Sequence, residues 1–138
     1  MSSFDEALDR MKLAEAAERY VGASFRPDGR DPVTGFDCLG LVLVALNDIG
    51  RPVRMPGRRL RTLRPQRLLH LPDEAGLVEV IAPFEPGDVL LFEPGPAQLH
   101  LGIAALDGGL VHAHAGLRRV VRTPFPLPWP TVRQWRPT

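Results

Sequence analysis

Cysteine, lysine and tyrosine are almost absent from this chain of 138 residues: Cys38, Lys12 and Tyr20 are the only ones. A single cysteine excludes an intramolecular disulfide framework. The longest apolar run, Leu39 to Leu46, is broken by Gly40 and far too short to cross a bilayer. The first twenty residues carry acids from the start and lack the apolar core of a signal peptide. The expectation is a protein that is cytoplasmic as synthesised, or exported by something other than its own leader. Net charge is only +1, so no overall field draws the chain to nucleic acid or a membrane, and neither is expected as a partner. Hydrophobic residues make up 44% of the chain, enough to bury a core, which excludes a disordered or fibrous protein. That length suits one domain, expected to span 1–138.

Along the chain, Ser3-Phe4-Asp5-Glu6 reads as a capping box with Ser3 as N-cap. Phe4, Leu8, Met11, Ala14, Ala17 and Val21 follow at helical spacing, and Gly22 suits the end of that helix. Residues 23–36 have loop chemistry. A second helix is predicted from Asp37 or Cys38 to Gly50, apolar nearly all round and therefore buried. Arginines and prolines crowd the stretch from Arg51 to Arg67, within a 51–76 excursion expected to be solvated, with a short helix near Gln66–Leu71. Leu77–Ile81 reads as a short strand or a helix end.

The period then changes from helical to alternating. Pro86-Gly87-Asp88 leads into a strand at 89–92. Leu99–Leu106 and Leu110–Ala115 form a hairpin around Asp107-Gly108-Gly109. Leu117–Thr123 is an edge-like strand. Pro124, Pro126, Pro128 and Pro130 make an extended strap, before a last strand at Thr131–Arg136. Helices first and an antiparallel sheet afterwards define an α+β fold.

Cys38 stands where a glycine-rich loop meets the buried helix. Partial positive charge and free N–H groups there would lower a thiol pKa and could donate to an oxyanion. His100 opens a strand on the same face as Gly102 and Ala104, and small neighbours leave an imidazole accessible. A thiol nucleophile needs such a histidine to take its proton and return it to a leaving amine. His112 lies across the hairpin. A connection centred near Leu106 sets His112 opposite His100, as the residue that orients it; one centred on Gly108 offsets them by four residues. His114 shares that face and competes for the role, whereas His70 has no partner in sequence. One cysteine and three histidines are zinc-ligand types, but there is no HExxH and no CxxC, so neither metal nor cofactor is expected.

Three blocks, GFDCLGLV (35–42), PGDVLLF (86–92) and HLGIAALDGGLVHA (100–113), resemble in order the signatures of NlpC-type cell-wall cysteine peptidases. The resemblance covers about residues 14–123. It implies a papain-like fold, with the nucleophile at the start of the central helix, packed on an antiparallel sheet. It further implies cleavage of peptidoglycan stem peptides after D-γ-glutamate and before a diamino acid. Cys38 is then the nucleophile, His100 the base and His112 the third polar residue. Asp37 would lie in the substrate groove and bind a free amine, although a helix N-cap alone accounts for an aspartate there. Phe25 occupies the position of a tyrosine whose hydroxyl helps the oxyanion site. Losing one such donor typically costs about 10²–10³ in rate. Leu39, in place of the commoner serine, and the closing Trp129, Trp135 and Arg136 resemble the branch found in phage-like tail modules. That branch implies tail proteins as partners and delivery by a tail particle. Two other readings stay open: a wall-binding or structural module without cleavage, and an acyltransferase or amidase on the same scaffold.

Overall fold

Small side chains decide how the first helix packs. The structure, a computed structural model, describes residues 3–54 and 70–138. Helix α1 (Ser3–Arg19) buries Leu13, Ala16 and Ala17, with Tyr20 half-buried on the same i, i+3, i+4, i+7 row. The alanines let α1 approach α2 (Cys38–Asp48) closely. The larger residues of the expected stripe, Phe4, Leu8 and Met11, face solvent instead, Phe4 at 75% exposure. Ser3 lies inside the first turn rather than before it, where Asp5 and Glu6 complement the helix dipole.

Helix α2 is buried over most of its length, as its unbroken apolar sequence requires. Asp37 is its N-cap, accepting from the Gly40 N–H at 2.7 Å. The left-handed Gly50 follows its end. Residues 55–69, with most of the arginine-rich stretch, lie outside the described residues, so the predicted helix near Gln66–Leu71 is met only by α3 (His70–Ala75). Leu71 and Ala75 of α3 join the main core. Arg51, counted among the solvated arginines, is mostly buried. Its guanidinium donates to the Ala75, Gly76 and Thr138 carbonyls and to Asp9, because only a fork of several donors satisfies so many converging acceptors.

Strands β1 (Arg30–Asp31) and β2 (Gly35–Phe36) make a small hairpin ahead of α2. The main sheet has six strands in the order β3-β8-β4-β5-β6-β7, all antiparallel. These are β3 (Leu77–Glu79), β4 (Val89–Phe92), β5 (His100–Ala104), β6 (Gly109–His114), β7 (Arg119–Pro124) and β8 (Thr131–Pro137). Asp88, fully buried ahead of β4, accepts from Arg136 and Gln134, so the closing strand is locked onto the centre of the sheet. Residues 22–25 cover the outer edge of β7 through bonds with Arg118 and Val120.

Alternation along β4, β5 and β6 sorts the sheet into two faces. Val89, Leu91, Leu101, Ile103 and Val111 pack with Cys38 and the helices. Leu90, Phe92 and Leu110 pack on the other side against Phe125, Leu127 and Trp129. The proline strap explains this second cluster. Instead of running extended as expected, the strap bends at 125–126 and 128–129, with a cis Phe125–Pro126 bond, and its Phe125, Leu127 and Trp129 all pack on this side.

Candidate functional site

The path of the chain into α2 carries Cys38 to the sheet. The Arg26 N–H donates to the Phe36 carbonyl, the Phe36 N–H to Ser24, and the Asp37 N–H to Gly29. A Cβ at Gly40 would drive into the Gly29 carbonyl oxygen, so glycine is what allows the loop to lie on the first helical turn. The second carboxylate oxygen of Asp37 accepts from the Asp28 N–H at 3.0 Å. Burial raises the pKa of Asp37, and its backbone partners lower it. Both oxygens thus hold the loop and the helix start.

Cys38 is 8% exposed, with its sulfur against the backbone of Leu101, the residue after His100. Burial pushes its thiol up to about 12. The N–H groups of Leu101, Leu39 and Cys38 oppose that shift, and the charge of Asp37 adds to it. The expected lowering by the helix start is therefore reversed, because desolvation of a thiolate outweighs the local donors.

The histidines lie on the strap face. Ile103 pairs with Val111 and Ala104 with Leu110, which centres the hairpin on Asp107, between the two registers considered above. Counted on in that register, His112 faces Gly102 and His100 faces His114. The contact made is diagonal: His100 Nε2 lies 2.8 Å from His112 Nδ1. Leu110 fills the space over Gly102, where a Cβ would not fit. A second diagonal follows on β7, with His112 Nε2 2.8 Å from Thr123 Oγ1. The three residues form one row across β5, β6 and β7. His114 stands outside this row and accepts the Leu117 N–H on its Nδ1.

The indole of Trp129 closes over the row edge-on, with ring centroids 5.1 Å from His100 and 5.8 Å from His112. His112 is left 1% exposed. Burial lowers His100 to about 3 and His112 to about 4, with smaller contributions from the neighbouring imidazoles, so both rings are neutral at pH 7. Beside the row, Pro94, His100, His114, Ala115, Gly116 and Trp129 line a cleft of about 160 Å³.

Among the described residues no hydrogen bond joins Cys38 to His100, and no group of three or more His, Cys, Asp and Glu is placed to hold a metal ion. No described helix is long and apolar enough to cross a membrane. The half-buried Phe25 packs on the main core and presents no hydroxyl. Tyr20 bonds to Asp48 at the opposite end of α2, so its phenol is remote from Cys38. Thr123 and Trp129 were not assigned site roles from sequence. The alternation of apolar residues and proline in the strap was the available signal for Trp129, whereas Thr123 gave none before β6 and β7 were in register.

No family model and no curated protein matches the chain. Solved structures do. NlpC2 from Trichomonas vaginalis superposes with a TM-score of 0.69 at 23% identity, over 93% of this chain and 46% of that one. The NlpC/p60 domain of the peptidoglycan hydrolase SagA gives 0.57 at 24%, over 83% and 88%. The peptidoglycan hydrolase RipB from Mycobacterium tuberculosis gives 0.65 at 19%, over 99% and 67%. The chain spans under half the length of the Trichomonas NlpC2 chain. It has the α+β, papain-like fold of NlpC/p60 domains.

Proposed function

We propose that the chain is a cysteine endopeptidase that hydrolyses peptidoglycan stem peptides at the bond between D-γ-glutamate and a diamino acid. Residues 1–138 act in this reading as one catalytic domain. The observation that carries it is the bond from His100 Nε2 to His112 Nδ1, at a strand start whose next residue touches the Cys38 sulfur. With Nε2 engaged, Nδ1 is the nitrogen left to His100 for a thiol proton.

The reaction runs in two halves. His100 Nδ1 takes the Cys38 proton as the sulfur attacks the acyl carbon, and the amide N–H groups of Cys38 and Leu39 face the charge that develops. Collapse to a thioester expels the amine, which leaves with the proton from His100. Water, deprotonated by His100, then attacks the thioester and releases the carboxylate and the thiol. At rest thiol and imidazole are both neutral, so the proton moves only when substrate brings the groups together. In this reading Asp37, besides capping α2, offers its charge to a substrate amine. Leu39 and the closing tryptophans favour carriage in a phage-like tail particle. The test is mass spectrometry of digested muropeptides. Wild-type protein is expected to yield cleaved stems and Cys38→Ala none, with its melting temperature kept; undiminished cleavage by Cys38→Ala sinks the proposal.

A second reading is a wall-binding module that does not cleave. The high thiol pKa, the missing bond between Cys38 and His100, and Phe25 in place of a tyrosine favour it. Binding and digestion of muropeptides followed together separate the two: binding without cleavage supports the binding module, whereas cleavage that both Cys38→Ala and His100→Ala remove supports the enzyme.

A further inference from the structure

We propose that Thr123 is a positioning residue that supplies the acceptor for the working tautomer of the histidine row, the one that leaves His100 Nδ1 without a proton. The inference rests on the peptidase reading for its effect on rate, but not for its effect on the imidazoles.

The row can carry its protons in two ways. In one, His100 Nε2–H donates to His112 Nδ1 and His112 Nε2–H donates to the Thr123 hydroxyl oxygen, across gaps of 2.8 Å each. His100 Nδ1 is then bare and can accept a proton. In the other, the Thr123 hydroxyl donates to His112 Nε2 and His112 Nδ1–H donates to His100 Nε2, which forces the His100 proton onto Nδ1 and disables it as a base. A neutral imidazole has one donor and one acceptor, so the arrangement at the Thr123 end passes through both rings, and a hydroxyl, which donates and accepts, can serve either one.

Thr123 is the only hydrogen-bonding side chain shown against His112 Nε2 among the described residues. An N–H directed into an apolar wall is costly to leave unpaired, and the strap places Trp129 and its apolar neighbours around the row. Replacing the hydroxyl by a methyl would leave an unpaired N–H in the working arrangement but only an unpaired lone pair in the other, and so favour the proton on His112 Nδ1, the disabling arrangement. Valine has the shape of threonine and the same preference for strands, so Thr123→Val changes the bond with little change in packing.

The experiment is long-range ¹H–¹⁵N spectroscopy of the full chain with labelled histidines at pH 7, beside steady-state kinetics on muropeptides. Wild-type protein is expected to carry protons on Nε2 of both His100 and His112. Thr123→Val should move both to Nδ1 and lower kcat about 10- to 100-fold with KM nearly unchanged, while Thr123→Ser restores both readouts. A wild-type spectrum with His112 protonated on Nδ1 overturns the inference, whatever the variants do. So does a Thr123→Val protein with wild-type tautomers and kcat. Expected tautomers without cleavage by the wild type would instead overturn the peptidase reading and leave the tautomer assignment standing.

Discussion

The two faces of the main sheet hold their chemistry in opposite ways. On the helix face, Cys38 is held through main-chain groups: the Gly40 and Asp28 amides on the Asp37 carboxylate, the Gly29 carbonyl against Gly40, and the amide of Leu101. On the strap face, His100 is fixed by side chains: a row of hydrogen bonds to Thr123 and the indole of Trp129. A nucleophile served by main-chain donors depends on close approach, which only glycine permits. A base served by rings and hydroxyls depends on register and on cover from water. The difference also places the sensitivity to pH, since the strap face carries two imidazoles that must stay neutral.

The sharpest break in this comparison should come from Gly40→Ala. The added methyl meets a backbone carbonyl that has no free direction to move, so a loss of about 3 kcal/mol or more is expected in urea unfolding. Wild-type stability would show that the loop does not fix the helix start. Trp129→Ala should cost less, about 2–3 kcal/mol, because the indole is only half-buried. Water admitted by that change relieves the desolvation of the imidazoles. Their pKa values should therefore rise toward 6.5 in an NMR titration, and unmoved values would mean that the strap does not exclude water.

The pH dependence of stability has a definite sign. His100 and His112 bind protons more weakly folded, at about 3 and 4, than unfolded, at about 6.5. Their neutral burial therefore favours the fold above pH 6.5, and that contribution is lost as pH falls toward 4. The midpoint of urea unfolding should drop across this window, and His112→Gln should flatten the slope. The smallest effect belongs to Asp37. Asp37→Ala should lose about 1 kcal/mol of capping, whereas Asp37→Ser keeps most of it. If Asp37 also meets substrate, Asp37→Ser raises KM at nearly unchanged stability; an unchanged KM restricts it to the cap.

Much of this architecture follows from local patterning. Alternation from Val89 onward marks strands that can bury two faces, and the apolar sequence after Asp37 marks a central helix capped at its start. Where local patterning failed, a third body decided. Phe4, Leu8 and Met11 have the spacing of a core stripe, yet α2 meets the alanine row, where the backbones come closest. The thiol was expected to be acidified by its helix, but burial against β5 prevails.

By itself the sequence determined that Cys38 begins a buried helix and that His100 and His112 share one face of a hairpin, since both facts rest on periods of a few residues. Only the tertiary structure decided that the hairpin turns about Asp107, that the imidazoles meet diagonally, and that Thr123 and Trp129 complete their surroundings. Register depends on how neighbouring strands and the strap pack together, and that packing joins residues whose separation along the chain carries no periodic signal.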